Sequence, residues 1–209
     1  MNATRSPLKK TIHASERERE DVAKRRAEWV AAQPGLDPEK LVFVDETSTN
    51  TMMARLRGRS RRGHRVIASI PHGHWKTSTF VAGLRCDKIT APMVLDGAMD
   101  GAMFLAWIDT FLAPALTPGD IVIMDNLPAH KVAGVRERIE AAKSKVAYLP
   151  PYSCDFNPIE QVFAKLKALP RKAQERTLEA LWKRTGLSLD QFQPAECANY
   201  LKNCGYASG

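Results

Sequence analysis

The sequence predicts an α/β protein, a mixed sheet flanked by helices on both faces, and three observations carry that expectation. Two short apolar runs of the same form, Leu41-Val42-Phe43-Val44 and Ile121-Val122-Ile123-Met124, each end in an aspartate, as central strands buried on both faces do. Strand-like and helix-like segments alternate along the chain, which is the pattern of a sheet layered between helices. The 209 residues are 44% hydrophobic and 26% charged, enough for one globular domain with a real core and unlike collagen, disordered chains or disulfide scaffolds.

Taken in order, residues 1–35 read as a basic N-terminal arm. Ser15 with Glu18 three residues later has the form of a capping box, opening a charged helix that runs to Gln33 and stops at Pro34-Gly35. Residues 36–209 read as the main domain. The strand Leu41 to Val44 comes first, followed by strand candidates Val66 to Ile70, Thr77 to Leu84 and Pro92 to Leu95, with turns at His72-Gly73-His74 and Cys86-Asp87-Lys88. Phe104, Leu105, Ile108, Phe111 and Leu112 recur at helical spacing from Gly101 to Ala113, and Pro114 ends that pattern. After the strand Ile121 to Met124, Pro128 opens a helix expected to reach about Lys143, and Val146 to Leu149 is the last strand. Asn157-Pro158 starts a long helix with Ile159, Val162, Phe163, Leu166 and Leu169 inward, and a further helix is expected from Pro194 to Asn203. Pro170 falls inside the long helix, where a missing N–H and a ring clash predict a kink or an end.

Charge is spread unevenly. Residues 1–65 hold 15 basic and 9 acidic side chains, and Arg55, Arg57, Arg59, Arg61, Arg62 and Arg65 follow one another without an acid between them. Such a run suits a phosphate backbone, so these six are the DNA-binding candidates; a solvated loop is the alternative reading. Cys86, Cys154, Cys197 and Cys204 form no C-x-x-C pair and read as reduced thiols. No apolar run is long enough for a membrane span or a signal peptide, so a cytoplasmic location without a membrane partner is expected.

Asp45 and Asp125 emerge at one carboxyl edge if their strands pair in parallel, and Glu160 stands at a helix start. Three converging carboxylates repel one another unless a divalent cation supplies the missing charge, and oxygen-only ligands favour Mg²⁺ or Mn²⁺. Two such ions would serve an in-line phosphoryl displacement. Each acid also has a structural reading: Asp45 and Asp125 as turn caps, and Glu160 as the partner of Asn157 in a capping box. Glu46 adjoins Asp45 but is expected on the opposite side of an extended strand. His72 and His74 have no third metal partner in the sequence.

MDNLPAHK, then YLPPYSCDFNPIEQVFAKLK, with FVDET upstream, resembles the catalytic domain of DDE-type insertion-sequence transposases in the mariner-related bacterial branch, the insertion-sequence six-thirty family. The resemblance covers roughly Leu36 to Ser208 and includes the 34 residues between Asp125 and Glu160. It implies a ribonuclease H-like fold, with Asp45, Asp125 and Glu160 as catalytic and metal-binding triad for two Mg²⁺ or Mn²⁺ ions. It implies metal-dependent cleavage at a transposon end, then strand transfer into target DNA at TA dinucleotides. Asn126 and His130 match auxiliary positions of that branch, His130 lying one turn into a helix near the scissile phosphate or satisfied by a neighbour on the helix surface. Asp155 is expected to shape the turn into Asn157-Pro158. Family members also carry helix-turn-helix modules, and about 40 residues precede the first strand here, so a recognition module from a separate or fused reading frame is the expected partner, together with double-stranded DNA. A homodimer is consistent with pairing two transposon ends. The alternatives are a remnant that binds nucleic acid without turnover and a ribonuclease H-like cellular nuclease.

Overall fold

The computed structural model describes residues 14–50, 60–65, 67, 77–173 and 178–206. Five strands form one mixed sheet in the order β3-β2-β1-β4-β5: β1 Leu41–Asn50, β2 Thr77–Leu84, β3 Ile89–Asp96, β4 Ile121–Met124 and β5 Lys145–Tyr148. The β1–β2 and β2–β3 pairs are antiparallel, whereas β1–β4 and β4–β5 are parallel. The described helices are α1 Glu20–Ala32, α2 Gly101–Trp107, α3 Val135–Ala141, α4 Ile159–Ala173, α5 Leu178–Leu189 and α6 Pro194–Asn203.

Alternation along β1 builds the two layers. Leu41 and Phe43 point into a cluster with Phe80, Phe163, Leu166, Leu201 and Tyr206, on the face covered by α4 and α6. Val42 and Val44 point the other way, into a cluster with Phe104, Trp107, Ile108, Val135 and Ile139. Both sets are essentially free of solvent, so β1 is buried on both faces and its apolar run is continuous for that reason. The same alternation carries on past Val44: Asp45 follows the Phe43 face and Glu46 the Val44 face. On β2, between β1 and β3, Gly83 is required by space, because a Cβ there would lie 2.8 Å from Thr90 Cγ2 and 3.1 Å from Val42 Cγ1.

Several boundaries differ from the sequence expectation. β1 does not stop at Asp45; it continues to Asn50 by pairing with β2 alone, after its parallel pairing with β4 ends at Val44–Met124. β3 starts three residues earlier than expected, at Ile89. Ser15 makes no helix cap: a short 3-10 turn spans Ser15–Glu18 and α1 begins at Glu20 without a side-chain cap. The expected helix from Gly101 passes into a π-helical segment, Ile108–Leu112. The wider turn rotates the following side chains, so Leu112 is buried and Phe111 is 41% exposed. The expected helix from Pro128 is split into a 3-10 turn, Pro128–Lys131, and α3, because Gly134 at φ 96° interrupts helical backbone. Helix α4 continues through Pro170 to Ala173, so the proline does not end it. Sequence reasoning missed α5. The candidates at 66 and 68–76, including His72 and His74, lie outside the described residues.

Candidate active site

Parallel register places the first two acids. Val44 pairs with Met124, so Asp45 and Asp125 follow at the same carboxyl edge of neighbouring strands, the edge where open α/β sheets carry their sites. Glu160 enters from the first turn of α4, whose Ile159, Val162, Phe163 and Leu166 are packed on the sheet. All three border one cavity of about 430 Å³, together with Asn126, Tyr152 and Asn157.

The structural readings of these acids account for part of their contacts only. Asp125 Oδ1 accepts from the Leu127 amide at 3.0 Å, and Asp45 Oδ1 accepts from the Glu46 amide at 2.8 Å. The capping box at Asn157 does not form: its side-chain Nδ2 donates to Asp45 Oδ2 at 2.8 Å and its amide donates to the Cys154 carbonyl. Glu160 is thereby left exposed at the cavity. Asn157 Oδ1 is buried with no hydrogen-bond partner.

Asp45 is 7% exposed. Burial, then the charges of Asp125, Glu160 and Glu46, push its carboxyl from 3.8 up to about 7, against the opposing hydrogen bond from the Glu46 amide. A positive charge in the cavity would relieve that condition. Among the described residues no group of three or more acidic, histidine or cysteine side chains is gathered closely enough to hold a metal ion. The carboxylates border an open cavity instead, and an all-oxygen donor set of this kind fits Mg²⁺ or Mn²⁺, which need few protein ligands and keep water and substrate oxygens.

His130, expected as an auxiliary residue, joins the site through a pairing with Glu46 that was not legible in the sequence. His130 lies in the 3-10 turn after β4, not on a helix surface, and is fully buried. Its Nε2 is 2.7 Å from Glu46 Oε2, and its Nδ1 is 2.6 Å from Asp125 Oδ1. Burial pulls the imidazole pKa down, but hydrogen bonding and charge from Asp125 and Glu46 outweigh it and raise it to about 10. Glu46 does point away from Asp45, as the strand period requires, yet it reaches Asp125 through this ring. The histidine in MDNLPAHK was the available signal; its pairing with Glu46 spans 84 residues and needed the sheet.

Helix α1 also bears on the cavity. Arg26 of α1 binds Asp155 at 2.7 Å, donates to Ser153 Oγ at 2.7 Å and lies 4.3 Å over the Phe156 ring. Arg17 reaches the same carboxylate at 2.9 Å. Burial pushes the Asp155 carboxyl up, but its bonds and charge pairing with Arg26 and Arg17 hold it below its ordinary value. These contacts secure the loop that presents Asn157 and Glu160. Of the basic run, Arg61, Arg62 and Arg65 are exposed beside a turn, and Arg55, Arg57 and Arg59 lie outside the described residues. All four cysteines are free thiols. No helix among the described residues is long and apolar enough to cross a membrane.

Fold and site define an α/β domain with a carboxylate-lined cavity at the carboxyl edge of a mixed sheet. The chain belongs to the DDE superfamily endonucleases, whose family pattern matches residues 40–181. No curated protein sequence matches it. Its fold is the ribonuclease H-like fold of the Mos1 transposase catalytic domain, matched with a TM-score of 0.69 at 14% identity over 93% of this chain and 91% of that one. The Mos1 transposase paired-end complex with left transposon end matches at TM-score 0.78 and 16% identity, over 97% of this chain and 64% of that one. The Mos1 mariner paired-end complex with Mn matches at 0.79 and 15%, over 95% and 64%. The chain thus spans about 64% of the length of the transposase chains in those complexes.

Proposed function

We propose that this chain is the catalytic domain of a DDE transposase of the mariner-related bacterial branch, cutting DNA at transposon ends and joining the freed strand to target DNA. The observation that carries the reading is the gathering of Asp45, Asp125 and Glu160 from β1, the end of β4 and the start of α4 into one cavity. In this reading the three carboxylates would hold Mg²⁺ or Mn²⁺, two ions in all, which would supply Lewis-acid activation of water and neutralise charge on the phosphate. Asp45 would serve as the carboxylate, its proton passing to solvent. Asn157 keeps the Asp45 carboxylate turned toward the cavity, and the loop held by Arg26 keeps Glu160 facing it. Asn126, beside Asp125, lines the same cavity and is placed to hydrogen-bond the strand being cut. Arg55, Arg57, Arg59, Arg61, Arg62 and Arg65 bind the DNA backbone through charge.

The partners that follow are double-stranded DNA, a DNA-recognition module encoded in a separate or fused frame, and a second copy of the chain when two ends are paired. Solved complexes of the Mos1 transposase with transposon ends support the DNA partner. Residues 1–35 serve as the arm and 36–209 as the catalytic unit, working in the cytoplasm, where the thiols stay reduced.

Nicking of supercoiled DNA in Mg²⁺ or Mn²⁺ tests the reading, with Asp125→Asn purified alongside. Metal-dependent nicking by the parent chain that is lost in the variant is the expected result. Equal nicking by the two proteins at matched metal concentration overturns the assignment of the triad.

A further inference from the structure

The Glu46–His130–Asp125 chain joins two strands behind the cavity. Glu46 and Asp45 are adjacent on β1 and face opposite sides of the sheet, so one acid borders the cavity while the next anchors a ring that touches another cavity acid. The ring is buried and packed, and its backbone is anchored. Phe104 packs against it with centroids 4.6 Å apart, and the Tyr148 hydroxyl donates to the His130 carbonyl at 3.0 Å. The His130 side chain has no exposed surface and Glu46 only 14%, whereas Asp125 has 33%. His130 therefore reaches the cavity through Asp125 and has no direct path to a bound strand.

We propose that Glu46 and His130 are positioning residues that aim Asp125 at the cation site, a role that rests on the function proposed above. Asp125 Oδ1 accepts from the Leu127 amide and lies 2.6 Å from His130 Nδ1, a close ion-pair contact without the alignment of a hydrogen bond, which leaves Oδ2 as the oxygen presented to a metal. Glu46 supplies the second half of the device. Its Oε2 lies 2.7 Å from Nε2 on the far side of the ring, which fixes the rotation of the imidazole so that Nδ1 faces Asp125. Carboxylate–histidine pairs behind a ligand are a recurrent way to fix ligand orientation, and their loss typically weakens metal binding by about 10–100-fold.

The test separates orientation from space-filling by choice of amide. In His130→Asn the side-chain amide takes the place of Nδ1 and still reaches Asp125, although the residue is smaller. In His130→Gln the amide takes the place of Nε2, reaches Glu46 and leaves Asp125 unheld, although the volume is closer to that of histidine. Mn²⁺ binding by the protein without DNA is read from the electron paramagnetic resonance signal of free Mn²⁺, with folding checked by circular dichroism. We expect His130→Asn to stay within about threefold of the parent and His130→Gln to bind about 10–100-fold more weakly. Glu46→Ala and His130→Ala combined should be no worse than His130→Ala alone, since they interrupt one chain. Equal affinity for the parent and His130→Gln, or a greater loss in Asn than in Gln, overturns the positioning role. Failure of the parent to bind Mn²⁺, or parent-like binding by Asp125→Asn, overturns the metal site and the positioning role together.

Discussion

Replacing Asp45 by asparagine should stabilise the metal-free protein at pH 8. The folded chain holds this carboxyl at about 7 against 3.8 for an unperturbed group. Below about pH 4 the group is protonated folded and unfolded, and its titration contributes nothing. As pH rises from there toward 7 the unfolded chain releases the proton while the folded chain retains it, so stability falls. Above pH 7 the loss is complete and amounts to about 4 kcal/mol at 1.36 kcal/mol per pKa unit. Asparagine removes that cost but puts an amide nitrogen opposite Asn157 Nδ2. Rotating the Asn157 amide turns its unpartnered Oδ1 toward the new donor, at a residual cost of about 1–2 kcal/mol for the nitrogen left over. The net gain is about 2–3 kcal/mol, or roughly 5–10 °C in Tm for a chain of this size. Melting curves in EDTA at pH 4, 6 and 8 measure it. The variant should melt slightly below the parent at pH 4, where only the cost of the leftover amide nitrogen remains, overtake it by pH 6, lead it most at pH 8, and converge or reverse when saturating Mn²⁺ is added, since only the parent keeps the full ligand set. A variant that melts lower than the parent at pH 8 in EDTA, or a separation independent of pH, would refute the account of Asp45.

Four more expectations follow from the same structure. Mn²⁺ affinity should rise about tenfold per pH unit up to about 7 and then level, because Asp45 must lose its proton first; titration calorimetry in buffers of different ionisation heat would read the released proton, and a flat profile would remove Asp45 from the ligand set. Arg85→Ala should cost about 3–5 kcal/mol in urea denaturation, since Asp120 is fully buried and loses its ion pair; a loss under about 1 kcal/mol would show that water replaces the guanidinium. Arg26→Ala and Asp155→Ala should each cost about 1–2 kcal/mol, discounted because Asp155 is 38% exposed, and the double variant should add little to either. Alanine at Arg59, Arg61 and Arg62 should flatten the logarithmic salt dependence of DNA binding by about 0.9 per lost phosphate contact, and an unchanged slope would remove that loop from the DNA interface.

Local pattern was sufficient wherever a segment's neighbours repeat its own period. The apolar runs at Leu41 and Ile121 announced double-sided burial, and both strands lie at the centre of the sheet. The 3.6-residue stripe of Ile159, Val162, Phe163 and Leu166 announced the packed face of α4. Pro194 to Asn203 was bounded correctly because a proline opens the helix. Periodicity misled where backbone geometry departs from the ideal. Phe111 had the spacing of a core residue and lost that place to a π turn, and the pattern beyond Pro128 hid the break at Gly134.

By itself, the sequence determined the fold class, the two matching strands and the three acids worth watching, because burial and strand period act over a few residues. Only the tertiary structure decided what those acids touch. Parallel register set Asp45 beside Asp125, and packing of α4 brought Glu160 to the same cavity. The fold also spent the Asn157 side chain on Asp45 instead of on a helix cap. The pairing of Glu46 with His130 rests on a contact between residues 84 apart, and no local regularity encodes it. Its physical basis is that a buried imidazole must find partners for both nitrogens, and which carboxylates supply them depends on where the sheet places each strand end.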